Sequence, residues 1–275
     1  KYSARDTNIE LPTIMSKENY DKLTTQQKNS GKYSIVIDID PEYSTTRVDK
    51  KTIKDNVSNI KFKFYQCSDN SQTINIPYDT VDNIKTFDLD NNFMEISEGE
   101  LTEDTNYTHL YWIKFKHAEE KKNLVLLNHQ GGDYVGSEVN SEPFILCDHK
   151  GCKNDYRYNI SYFKKQNNNY NKETIDWQIA EGEWNFVAIV GTENETKIYL
   201  FRPSFTDLKL MGTYNNSLYS DQNYDRIGNQ TGGLGKLARL TTYQTALTYD
   251  QIMKYFHYTK DVYPNFGYTK LNCGK

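Results

Sequence analysis

Glu183-Trp184-Asn185-Phe186-Val187-Ala188-Ile189-Val190, followed after a polar turn by Lys197-Ile198-Tyr199-Leu200-Phe201, decides how this chain is read. Both runs have strand length and are rich in aromatic, β-branched and other apolar residues, and the short polar segment between them makes a hairpin pattern. Outward from it, similar short runs recur upstream at residues 93–96, 110–115, 124–127, 144–146, 158–163 and 177–179, and downstream at 237–243. Earlier still, alternating runs at 33–39, 60–65 and 73–76 make the first part of the chain β-rich as well. Many short strands, polar turns and almost no helix predict an all-β antiparallel sandwich. Alternation is expected to place Trp184, Val187 and Ile189 or their neighbours on facing sheets.

Two helices are signalled. Ser16 is an N-cap residue type and Gly31 a stop, which predicts a short peripheral helix over about 17–29. Near the other end, Thr248-Tyr249-Asp250-Gln251 is a capping box. Leu247 is placed to staple onto Ile252, and Ile252, Tyr255 and Phe256 give the buried stripe of a helix expected to close one end of the sandwich.

Composition sets the outer bounds. A polar chain with 36% hydrophobic residues still carries 23 Tyr, 12 Phe and 3 Trp, aromatic core material that disordered chains lack. A net charge of -4 and the absence of a Lys/Arg stripe argue against nucleic acid as partner. No apolar run approaches the roughly 20 residues that span a bilayer. The sequence starts at Lys1 without Met and reads as a mature or excised fragment. Its 275 residues allow one large all-β domain or one domain plus a smaller unit, and the second is expected.

In their order, four segments resemble the laminin-G-like and pentraxin-like branch of the concanavalin A-like jelly rolls. Residues 87–96, with a short Asp/Asn-rich turn before an aromatic-x-x-Ile pattern, are similar to the family's opening strand. Residues 108–114 resemble the strand that carries a core Trp before a basic residue, here Trp112 and Lys114. The Trp184 hairpin resembles the central one, with its Trp-x-x-Val-Ala core, and residues 227–228 and 235–248 resemble the closing strand and the entry to the terminal helix. The resemblance implies a jelly-roll sandwich over residues 85–262, with a β-rich segment of 1–84 outside it, either a separate unit or extra strands packed on the sandwich, and a tail of 263–275.

Candidate sites follow from chemistry or from that resemblance. Calcium is the cofactor that the resemblance implies, with Asp88, Asp90 and Asn92 as rim ligands and Asp133 and Asp225 in later loops. Sugar recognition needs an aromatic platform with amide or carboxylate neighbours, and the loops holding Asp133 with Tyr134 and Asn216 with Tyr219 offer those types. Cys67, Cys147, Cys152 and Cys273 form an even set, which in an oxidising compartment suggests two disulfides among three possible connectivities; pairing Cys147 with Cys152 would close a short loop and leave Cys67 to tie Cys273. Glycosylation sequons stand at Asn56, Asn106, Asn159, Asn194, Asn215 and Asn229. Asp38, Asp40 and Glu42 lie on one face of a strand end, the geometry that sandwich glucanases use for nucleophile and acid, although Pro41 ends a central strand.

No Gly-x-Ser-x-Gly, Walker A, dinucleotide or His-Glu-x-x-His motif is present. The function expected from sequence is a secreted or cell-surface binding and adhesion module, non-catalytic, that recognises a glycan or protein partner. A structural subunit of a larger assembly is the alternative, and a glycoside hydrolase working through Asp38, Asp40 and Glu42 the third reading.

Overall fold

The computed structural model describes residues 13–15, 22, 24, 33–42, 45–55, 57–99, 106–115, 124–125, 127–128, 144–149, 157–166, 169–180, 182–202, 205–214, 226–228 and 234–262. Its strands are β1 (Thr13–Met15), β2 (Tyr33–Ile39), β3 (Thr45–Arg47), β4 (Thr52–Asp55), β5 (Lys61–Gln66) and β6 (Asp69–Ile74). Next come β7 (Tyr78–Val81), β8 (Ile84–Asp88), β9 (Asn92–Glu98), β10 (Tyr107–Phe115), β11 (Leu124–Val125), β12 (Leu127–Asn128) and β13 (Phe144–His149). They are followed by β14 (Arg157–Gln166), β15 (Asn169–Ala180), β16 (Trp184–Gly191), β17 (Thr196–Phe201), β18 (Lys209–Tyr214), β19 (Arg226–Ile227) and β20 (Gly235–Tyr243). Helix α1 (Tyr249–Val262) comes last.

A nine-stranded sheet runs β1-β2-β20-β10-β16-β17-β18, with the β7–β8 hairpin attached to β20. A seven-stranded sheet runs β12-β19-β9-β5-β4-β3, with β6 also on β5, and a four-stranded sheet runs β11-β13-β14-β15. Every pairing is antiparallel except β1 with β2. The expected antiparallel sandwich is therefore the architecture.

Side-chain alternation builds two cores rather than one. Tyr111, Ile113, Val187, Ile189, Ile198 and Leu200 of the nine-stranded sheet meet Ile53, Phe62, Phe64 and Met94 of the seven-stranded sheet. Their neighbours Leu110, Trp112, Trp184, Phe186, Ala188 and Tyr199 point the other way, onto Ile252, Met253, Tyr255 and Phe256 of α1. All eight residues of β16 are buried for this reason, because both faces of the strand are covered. The expected placement of Trp184 is corrected accordingly. It shares a strand with Val187 and Ile189 but faces the helix, and α1 lies across the outer face of the large sheet instead of closing one end.

The capping box at α1 forms as read: the Thr248 amide donates to Gln251 Oε1 at 2.9 Å, and the Gln251 amide to Thr248 Oγ1 at 3.3 Å. Trp112 Nε1 donates to Thr259 Oγ1 at 2.8 Å, and its ring stacks on Phe256 at 5.7 Å, so α1 is fixed by both polar and aromatic contacts. The helix predicted over 17–29 lies outside the described residues apart from Lys22 and Thr24. Residue 84 does not divide two sets of strands. It lies in the β7–β8 hairpin, while β2 pairs with β20 and β5 pairs with β9.

Candidate functional site

One edge of β20 is shared by two strands, and a cleft forms where they part. On the edge opposite β10, β2 pairs with Leu240 to Tyr243 and β8 pairs with Lys236 and Leu237. Between them the β20 register shifts opposite Trp112 and Ile113, which leaves Ala238 as a bulge. There β2 leaves the sheet: the Asp40 amide donates to Thr45 Oγ1 at 2.9 Å, and the Glu42 amide to Asp40 Oδ1 at 2.8 Å. This turn carries Glu42 towards the β7–β8 hairpin. Glu42, Tyr78, Asp79, Thr80, Asn83 and Lys85 line an open cleft of about 460 Å³ between them.

The hairpin is set by its turn. Asp82 and Asn83 have φ of 53° and 62°, the left-handed pair that a two-residue hairpin loop needs and that Asp and Asn tolerate. Asp82 accepts hydrogen bonds from Lys114 Nζ and Trp184 Nε1, each at 2.9 Å, so the hairpin tip is tied to the decisive Trp184. Burial works against the Asp82 charge, but these two donors outweigh it and hold its carboxyl below the usual range.

Behind the cleft wall, Lys236 Nζ lies 3.1 Å from Asp79, 2.8 Å from Asp88 and 3.0 Å from Asp90. Burial opposes the ammonium charge, yet the three carboxylates outweigh it and raise its proton affinity well above the ordinary lysine value. The Lys236 hydrogen bond, with the Thr80 amide, in turn lowers the Asp79 carboxyl. Asp79 is thus a fixed anion, held on the Lys236 face of the hairpin. Because its folded pKa is depressed, the stability it adds is present above the ordinary carboxylate pKa and is lost as pH falls through the folded value. Tyr78, 37% exposed, presents its ring at the cleft with Lys85 Nζ 4.7 Å from the ring centroid.

The structure redistributes the residues read from sequence. Asp38 is buried on the helix side, where Arg239 Nε and Nη2 donate to its two oxygens at 3.0 and 2.9 Å and Thr241 Oγ1 donates at 2.8 Å. Asp40 is fully buried with Arg239 Nη1 3.9 Å away. The Asp38, Asp40 and Glu42 triad is therefore corrected: two members are the internal counter-charge of Arg239, and Glu42 alone reaches the cleft. Asp88 and Asp90 hold Lys236, and Asn92 Nδ2 donates to the Asp88 carbonyl at 3.0 Å. As arranged, these residues do not fit a calcium ion, since the Lys236 ammonium already sits between the Asp88 and Asp90 carboxylates and Asn92 turns its Nδ2 to a carbonyl. Among the described residues, no group of three or more His, Cys, Asp or Glu could hold a metal ion.

Asp133, Tyr134, Asn216, Tyr219 and Asp225 lie outside the described residues, as do Cys152, Cys273, Asn56, Asn215 and Asn229. Cys67 is half-buried, its amide donating to the Asn91 carbonyl at 2.8 Å, and Cys147 pairs in register with Asn159 between β13 and β14. Asn106 and Asn194 are exposed. Of the cleft residues, sequence reading singled out only Glu42. The signal that locates the others is the Asp82-Asn83 pair between two short runs.

No family model matches the sequence, and no curated protein matches it. Solved structures do. A Trypanosoma rangeli sialidase overlays 81% of this chain on 32% of its own length, with a TM-score of 0.50 and 9% identity. Domain 4 of AbnA, a GH43 extracellular arabinanase from Geobacillus stearothermophilus solved with arabinotriose, overlays 72% of this chain and 88% of itself, with a TM-score of 0.46 and 14% identity. A GH54 α-L-arabinofuranosidase overlays 74% and 49%, with a TM-score of 0.49 and 10% identity. At these identities the likeness concerns the fold, and only the sialidase reaches a TM-score that carries the comparison. This chain spans about a third of the sialidase and about half of the arabinofuranosidase.

These findings correct the expectation of a non-catalytic adhesion module that is not an enzyme. The sandwich overlays part of a sialidase, so the fold supplies no ground for setting the chain apart from enzymes. No helix among the described residues is long and apolar enough to cross a membrane.

Proposed function

We propose that the chain is a carbohydrate-active protein of glycosidase type that takes saccharide in the Tyr78 cleft. The observation that carries this reading is the lining itself: an exposed aromatic ring, the Glu42 carboxylate, an amide, a hydroxyl and an ammonium group around about 460 Å³. A sugar ring has an apolar face suited to Tyr78 and hydroxyls suited to Glu42, Thr80 and Asn83. Glu42 is the carboxylate placed to act on a bound glycoside as acid or base. The laminin-G-like branch, an extracellular or cell-surface setting and a glycan partner belong to the same proposal. The order of the four resembling segments, the even cysteine count and the exposed sequon residues Asn106 and Asn194 support it.

Release of reducing sugar from neutral oligosaccharides and aryl glycosides, followed in wild type and in Glu42→Gln, tests this reading. The substitution is expected to lower kcat by more than about 100-fold, the usual contribution of a positioned acid or base, without unfolding the chain. Turnover that survives it would remove Glu42 from the chemistry.

A further inference from the structure

The Tyr78 ring is already occupied. In the hairpin register Tyr78 stands opposite Phe87 and Thr80 opposite Lys85, so all four share one face. The Phe87 ring lies 5.5 Å from Tyr78 at 30°, and Phe87 is fully buried in the inter-sheet core, which fixes it there. Lys85 Nζ lies 4.7 Å from the Tyr78 centroid. A saccharide that stacks on Tyr78 must therefore take the place of Lys85, since Phe87 cannot withdraw.

We infer that Lys85 masks the Tyr78 ring from ligand and so sets how tightly the cleft takes saccharide; this rests on the saccharide reading above. The ammonium and a sugar's C–H face compete for one surface, and the cation must leave the ring before the sugar stacks.

Calorimetric titration with arabinotriose and cellotriose tests this on wild type, Lys85→Ala, Lys85→Arg and Tyr78→Ala. Unmasking the ring in Lys85→Ala is expected to tighten a neutral trisaccharide about two- to five-fold, the range that an exposed cation–π contact represents. Lys85→Arg, whose planar guanidinium stacks more firmly on an aromatic ring, is expected to weaken it. Weaker or unchanged binding in Lys85→Ala would overturn the mask. Binding that is indifferent to Tyr78→Ala, or no binding of any probe by any variant, would overturn the underlying saccharide reading instead.

Discussion

Arg239→Met is expected to lose about 3–5 kcal/mol of stability, the cost of removing one partner from a buried ion pair. Arg239 closes on Asp38 with two hydrogen bonds and stands 3.9 Å from Asp40, both carboxylates being buried. Its guanidinium also lies 5.7 Å from the Tyr255 ring centroid, so it joins strand β20 to strand β2 and to helix α1 at once. Methionine fills much of the volume but leaves two carboxylates facing the underside of the helix without their cation. A urea titration of wild type and variant reads the loss as a lower midpoint at constant slope. Adding Asp38→Leu to Arg239→Met is expected to recover part of it, because a pair replaced on both sides is far less costly than a pair broken on one. An Arg239→Met midpoint equal to wild type would show that the network contributes little. The consequence reaches the cleft, since Asp40 directs the turn that carries Glu42.

Gly191→Ala is expected to cost about 1–3 kcal/mol or more by overpacking. Gly191 stands directly opposite Tyr107 in the β10–β16 ladder, and the Tyr107 ring lies across it. A Cβ at Gly191 would sit 1.9 Å from Tyr107 Cε1 and 2.1 Å from Cζ, and Tyr107 is 2% exposed, with no free space to move into. The same titration reads the effect. Combining Gly191→Ala with Tyr107→Leu, which shortens the side chain, is expected to give a loss smaller than the sum of the single losses. Strict additivity would mean that the ring and the glycine do not meet.

How far the sequence reaches is seen in these same residues. The run from Trp184 to Val190 and the Thr248 capping box each carry their structure locally, one in composition and the other in a three-residue spacing, and both form as read. The side of the sheet on which Trp184 falls was not legible, because a strand covered on both faces shows no polar alternation. Glu42 was visible only as part of a carboxylate row. The row splits because Arg239, about 200 positions away, claims Asp38 and Asp40, and no local pattern announces a partner at that separation. Likewise Asp88 and Asp90 read as turn residues or cation ligands until Lys236 is seen between them. Tyr78 sits on a four-residue edge strand after Pro77, too short to stand out by alternation, and only the Asp82-Asn83 turn marks it.

The most direct measurement of the central claim is a heteronuclear NMR titration of the isotopically labelled chain with a neutral trisaccharide. Saccharide in the cleft predicts that the largest amide shifts fall on Glu42, Tyr78, Asp79, Thr80, Asn83 and Lys85. Shifts confined to other residues, or none at millimolar sugar, would contradict it.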